Sequence, residues 1–206
     1  MRMKHLFTLT VTLFLFTQVT FSQKIRIKVA GQKDTTVHLI KYFGKGLYYA
    51  DTAQLKNGEV SFNGAKQKPG ILGLLLPGQQ YFEFIYNNEE IWLETSGSTG
   101  SEFTKNLIVK KSEENKVFIP YVNYITKKKT EAAQLGDERN KLNPEDAQFK
   151  ILGEKIDGLN KEVEVYQNNI MSQHKDKLVA KIVKMSTEIV IPEAPVDAEG
   201  NIIDSS

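Results

Sequence analysis

The chain contains no cysteine among its 206 residues. That single absence excludes disulfides, thiolate metal sites, a cysteine nucleophile and lipid attachment through an N-terminal cysteine. Histidine is nearly as scarce: His5, His38 and His174 are all there is. Without cysteine, and with no carboxylates clustered at ligand spacing, imidazoles so far apart give no metal site, and no cofactor is expected. The sequence also lacks a Gly-x-Ser-x-Gly nucleophile elbow, a Walker lysine loop and a Rossmann glycine pattern, so no catalytic constellation is legible. Its apolar N-terminal run, Leu6 to Phe16, is shorter than the roughly 20 residues that a bilayer span requires.

That run is instead framed as an export signal. Arg2 and Lys4 precede it, and small residues at Thr20 and Ser22 follow. A secretory signal peptide over residues 1–22, cleaved after Ser22, is the expectation. The mature protein then lies in the periplasm or cell envelope, with no stable membrane span. The whole chain has 27 basic and 25 acidic residues. Arg2 and Lys4 leave with the signal, so the mature part is balanced at 25 of each. The basic excess that would suggest a nucleic-acid partner therefore disappears. With no disulfide, the exported chain must be held by its core alone. The remaining residues, about 184, suffice for one or two domains.

Residues 23–111 read as strands. In KIRIKVAG, Ile25, Ile27 and Val29 alternate with Lys24, Arg26 and Lys28, the pattern of a half-buried strand. TTVHLIKYFG is apolar on both faces and suits a central position. Asn57-Gly58 predicts a type I′ hairpin that sets Lys56 against Glu59, Leu55 against Val60 and Ala53 against Phe62. A second hairpin is expected at Asn87-Asn88, with Phe84 facing Ile91, Phe82 facing Leu93 and Glu83 facing Trp92. ILGLLL between two Pro-Gly pairs reads as a buried strand, SGSTGS as a flexible loop with no helix close behind it, and NLIVKK as one more strand. Seven or eight short strands joined by turn residues indicate an antiparallel sandwich or barrel.

The period changes over residues 112–187. Phe118, Tyr121, Ile125, Ala132, Leu135 and Leu142 fall on a three-four spacing, with Lys128 and Arg139 in the skipped positions. One helix from Asn115, as N-cap, to Leu142 is predicted, bent near Pro120. Asn143-Pro144 then starts another, whose stripe is Phe149, Leu152, Ile156, Leu159, Val163, Tyr166 and Ile170. Two such helices joined by a tight break predict an antiparallel hairpin. A short third helix carries Leu178, Ile182 and Met185 on one face. Residues 188–206, EIVIPEAPVDAEGNIIDSS, read as an extended acidic linker or tail. The fold class is thus α+β: an antiparallel β-sandwich followed by a helical hairpin.

Candidate functional residues are few. Trp92, Tyr81 and Tyr86 form a binding platform if they are exposed, and fill or flank the core if they are not. Asp51 is an acid or base if the fold brings it to His38 or another carboxylate, and otherwise a turn or strand-edge residue. Lys110–Lys111 and Lys127–Lys129 suit solvated surface.

The segment from Val29 to Leu76, with its threonine-rich turn, Tyr42 and Gly44, Tyr49, Asp51-Thr52, Asn57-Gly58 and glycine-containing strand, resembles the N-terminal β-sandwich of exported Bacteroidetes-type thioredoxin-family proteins. SEENKVFIPYVNYITKKKTEAAQL and the long helix after it are similar to the helical region that follows in those proteins. The resemblance implies thiol:disulfide exchange in a Cys-x-x-Cys domain placed next, which this chain does not contain. The expectation is therefore a non-catalytic accessory module, truncated before the redox domain, with a thioredoxin-like domain or another envelope protein as partner. The alternative is a stand-alone envelope binding module for a glycan, peptide or protein. An enzyme with an unrecognised site is the third reading. Oligomeric state is open at this level.

Overall fold

The computed structural model describes residues 23–44 and 46–187, so the expected signal peptide and acidic tail lie outside the described residues. The fold is α+β. Eight strands, β1 (Lys24–Ala30), β2 (Thr35–Phe43), β3 (Gly46–Leu55), β4 (Glu59–Asn63), β5 (Gly70–Leu76), β6 (Gln80–Tyr86), β7 (Ile91–Ser96) and β8 (Ile108–Lys111), precede three of the four helices. The helices are α1 (Gly100–Lys105), α2 (Asn115–Arg139), α3 (Ala147–Gln173) and α4 (Leu178–Ser186). The strands make two four-stranded sheets, ordered β4-β1-β7-β8 and β3-β2-β5-β6.

Alternation decides what each strand buries. Ile25, Ile27 and Val29 from one sheet meet Val37, Leu39, Leu72, Leu74, Phe82 and Phe84 from the other in one buried cluster. As expected, β2 lies centrally, between β3 and β5.

Neither hairpin forms as its turn residues predict. Asn57 and Gly58 do adopt the positive φ angles, 51° and 75°, of a type I′ turn, and Lys56 bridges Glu59. The strands then part into different sheets. Leu55 pairs with Thr35 and Ala53 with Val37, while Val60 pairs with Ile27 and Phe62 with Ile25. The turn is drawn onto β1, where the Gly58 carbonyl accepts from the Val29 amide at 2.7 Å. A Cβ on Gly58 would lie 2.9 Å from the Val29 carbonyl oxygen. Glu59 forms its ion pair with Arg26, at 3.1 Å, and not with Lys56. At Asn87-Asn88 the chain also crosses the core: β6 pairs with β5, and β7 pairs with β1 and β8. The β1–β7 pairing is parallel, so the sandwich is antiparallel except at that seam. A local turn signal fixes two residues; it does not decide whether the flanking strands pair or face each other across a core.

SGSTGS is also not a free loop. Thr99 caps α1 in a capping box with Glu102. Glu102 accepts from Ser98 and Thr99 amides at 2.8 and 3.2 Å, so those donors are already satisfied and its carboxyl is held below its usual range.

The helical stripes fall where the spacing puts them. Phe118, Tyr121, Ile125, Lys128, Ala132, Leu135 and Arg139 of α2 are buried or half-buried, as are the seven stripe residues of α3. The two charged members are accommodated. Lys128 pairs with Glu162 at 2.6 Å, and the Arg139 guanidinium lies 4.0 Å over Phe149 while donating to its carbonyl. Far from the sheets most of the stripe is only half-buried, so each residue there gains less than the roughly 1.5–3 kcal/mol of full burial. The termini differ from expectation. Helix α2 ends at Arg139, not Leu142, and α3 begins at Ala147 after a turn in which Asn143 accepts from the Glu145 amide. In α4 the buried face is Val179, Ala180 and Val183, and Met185 is 84% exposed.

Asn115 differs most. It is fully buried and is not the cap of its helix. Its side chain accepts from the Ile85 amide at 2.8 Å and donates to the Ile85 carbonyl at 2.7 Å, closing the outer edge of β6 as a neighbouring strand would. The start of α2 is capped from outside. Ser112 Oγ accepts from the Asn115 amide, and Glu89 accepts from the Glu113 amide at 2.8 Å. Glu114, also buried, accepts from Leu178 and Val179 amides at 3.0 and 2.8 Å, and so caps α4 from 64 residues away. Phe118, Ile119, Tyr121, Ile170, Val179 and Val183 thereby join the sandwich core.

Asn115→Ala leaves the buried Ile85 amide and carbonyl unpaired. A destabilisation of about 2–4 kcal/mol is expected, measured as the midpoint shift in urea unfolding followed by circular dichroism. A shift equivalent to under ~0.5 kcal/mol, typical of surface substitutions, would remove Asn115 from this role.

Candidate functional site

The residues singled out by sequence do not assemble. Tyr86 is fully buried in the core, where its hydroxyl donates to Gln23 at 3.3 Å and burial raises its ionisation above the ordinary phenol value. Trp92 lies on β7 in the other sheet, half-buried, with the Arg26 guanidinium 4.8 Å over its ring. Tyr81, 37% exposed, is the most open of the trio. Asp51 pairs in register with Leu39, and His38 with Thr52, so their side chains leave opposite faces of the sheet. The Asp51 carboxylate accepts from the next amide, Thr52, and His38 shares a hydrogen bond with Thr52 Oγ1. Asp51 thus takes the strand-edge role and forms no dyad with His38. Lys110, Lys111, Lys127 and Lys128 are each within ion-pair distance of a glutamate. Among the described residues no three histidines or carboxylates gather at metal-binding range.

The surface that does assemble lies on the outer face of the β3-β2-β5-β6 sheet and the end of its β2–β3 hairpin. Ile40, Leu47, Tyr49, Leu75, Gln79 and Tyr81, with Tyr48, line a trough of about 430 Å³. Cross-strand register puts these side chains together: Ile40 is opposite Tyr49 and Gly73, and Leu75 is opposite Tyr81 and His38. Gly73 gives the trough its floor, since a Cβ there would come within 2.9 Å of Ile40. The His38 ring stacks on Tyr49 at 4.5 Å.

Beyond the trough the hairpin carries aromatic groups on both faces. Tyr42 is 45% exposed, Phe43 77%, Tyr48 53% and Tyr49 67%. Tyr42 and Tyr49 belong to the outer face, while Phe43 and Tyr48 meet edge to face, 6.2 Å apart, on the inner one. The signal for this was present in YFGKGLYY. Apolar residues at consecutive strand positions mean that neither face is solvent-adapted, and the opposite sheet does not extend far enough to bury the inner one. A second groove, between α2 and α3 beside Tyr124 and Tyr166, is more open. Its rings are 4.4 Å apart and serve interhelix packing.

Tyr42 also carries the most displaced ionisation at this face. Its hydroxyl donates to the Glu83 carboxylate. Desolvation, that hydrogen bond and the charge of Glu83 push it far above its ordinary value of 10.0. The ring is half open, but the hydroxyl is tucked against Glu83. The fold therefore keeps Tyr42 protonated where the unfolded chain ionises. The resulting stability is fully present below about pH 10 and is lost as pH rises above it. Urea melts at about pH 9 and about pH 11 should show a smaller loss in Tyr42→Phe than in the unsubstituted protein. Equal losses would remove the Tyr42–Glu83 contact as a source of pH dependence.

No curated protein matches the chain. The eight strands, α1 and the first residues of α2 coincide with a single recognised unit, in that a domain of unknown function, DUF4369, covers residues 23–118.

Proposed function

We propose that the chain is an exported, non-catalytic accessory module that acts by docking, with the aromatic trough and hairpin end of the β3-β2-β5-β6 sheet as its contact surface. The observation that carries this reading is the exposed cluster of Tyr42, Phe43, Tyr48, Tyr49 and Tyr81 beside an unfilled apolar trough. Partly exposed tyrosines give large contact area at low entropic cost and are enriched at protein contacts. The likeness of Val29–Leu76 to thioredoxin-family N-terminal regions makes an envelope thioredoxin-like oxidoreductase the partner class. The signal-like residues 1–22 support a meeting in the periplasm or cell envelope.

A glycan is the second reading, favoured by one feature: the nearly parallel His38–Tyr49 stack beside polar Gln79 and Glu83 resembles a sugar platform with a hydrogen-bonding rim. It uses Tyr49 and Tyr81 rather than the Trp92 and Tyr86 of the sequence reading.

The purified chain, having no thiol, should give no insulin reduction above the dithiothreitol blank. Calorimetric titration against an exported thioredoxin-like oxidoreductase should show binding with a negative heat-capacity change. Tyr49→Ser/Tyr81→Ser should weaken it ~10-fold or more. Tyrosine-dependent binding to a polysaccharide panel, without binding to the oxidoreductase, transfers the site to the glycan reading. Insulin turnover by the chain alone would overturn the non-catalytic assignment.

A further inference from the structure

We propose that the β3 edge is a self-association site: two copies pair β3 against β3 antiparallel, joining two four-stranded sheets into one of eight. Leu47, Tyr48 and Tyr49 belong both to this edge and to the trough lining, so a second copy and a trough ligand share them.

Sheet edges are usually blunted by brevity, lysine, proline, bulges or a covering element. Three edges of this sandwich fit that rule. Strand β8 has four residues, two of them lysine, and β4 has five. The β6 edge is closed by Asn115 on Ile85 and by α1, whose Gly100 approaches so closely that a Cβ would lie 2.6 Å from the Tyr81 carbonyl oxygen. The β3 edge is the exception. It is the longest strand, at ten residues, and contains no Lys, Arg or Pro. Its blunting devices lie in the second half, where the register shift leaves Ala50 as a bulge and Asp51 takes up the Thr52 amide. Among the described residues nothing covers Gly46 to Tyr49.

A second copy fits this stretch for two reasons. Gly46 to Ala50 bear no charge, so antiparallel self-pairing opposes no like charges. A two-fold axis at Tyr48 keeps outer faces together, sets Leu47 of one copy opposite Tyr49 of the other, and sets Tyr48 opposite itself. Both are favourable kinds of cross-strand pair. The exposed parts of Tyr42, Phe43, Leu47, Tyr48 and Tyr49 amount to roughly 500–600 Å² per copy on an aromatic side-chain scale of about 150–250 Å². Burial of all of it in both copies would come to about 1,100 Å², an upper limit that already falls below the roughly 1,200 Å² of stable interfaces. A weak, reversible dimer follows. It would join two aromatic troughs across the axis.

Sedimentation equilibrium over a concentration series should show a monomer–dimer equilibrium. Tyr48→Lys, which opposes two ammonium groups at the axis, should weaken it ~10-fold or more with an unchanged circular dichroism spectrum. Tyr48→Cys supplies the chain's one thiol and should cross-link on mild oxidation faster than Lys127→Cys, an exposed site on α2. Tyr81→Ser, away from the axis, should leave the dimer intact, so loss of ligand binding and loss of dimerisation are read separately. A monomer throughout the series, an unchanged dimer in Tyr48→Lys, or equal cross-linking at Tyr48 and Lys127 would each overturn the proposal.

Discussion

The arrangement of this protein depends on four residues, Ser112 to Asn115, between the last strand and the first long helix. Asn115 is buried without charge and spends its amide on the backbone of Ile85. Glu114 is buried with its carboxylate on two amides of α4 and on Asn87. A buried amide or carboxylate is tolerated only where its bonding capacity is met. These contacts therefore fix where α2 and α4 sit against the sandwich to within hydrogen-bond geometry. Apolar burial supplies the driving force, but hydrophobic contact alone has no direction. The polar junction supplies it.

That junction also decides which surface is left for function. By closing the β6 edge and bringing α2 over Ile85, it shields one end of the outer face of the β3-β2-β5-β6 sheet. Ile85 is buried although its strand alternation turns it away from the sandwich interior. Further along the same outer face, Leu47, Tyr49 and Tyr81 stay exposed around the trough, with Ile40 buried at its base and Leu75 half-buried. The exposed aromatics and the covered ones thus belong to one sheet, and the helices separate them.

The two crossings between sheets follow the same logic. The Asn57-Gly58 turn is tied to Val29 and Asp34, and the loop carrying Asn87 and Glu89 is tied to Ser112, Glu113 and Glu114. Each turn is held by a distant element, so its flanking strands open into the core instead of pairing. Helix caps behave alike: Glu89 serves α2 and Glu114 serves α4, neither within reach of a reading that looks for caps beside their own helix.

Sequence by itself determined the α+β class, the strand-rich half before the helical half, the alternation that buries Ile25, Ile27 and Val29, and the stripes of α2 and α3. All of these follow from local periodicity, because alternation and the helical repeat are properties of neighbouring residues. The lack of any thiol in these 206 residues was likewise legible, since composition is not altered by folding. Only the tertiary structure decided that β3 and β4, and β6 and β7, lie in different sheets, that β1 and β7 run parallel, and that Asn115 closes a strand edge. It also decided that Tyr86 is core, Trp92 sits under Arg26, and Asp51 and His38 face apart, while Tyr42, Tyr48, Tyr49 and Tyr81 form the open surface. Exposure depends on what a distant segment covers, and that depends on long-range polar geometry which no local pattern encodes.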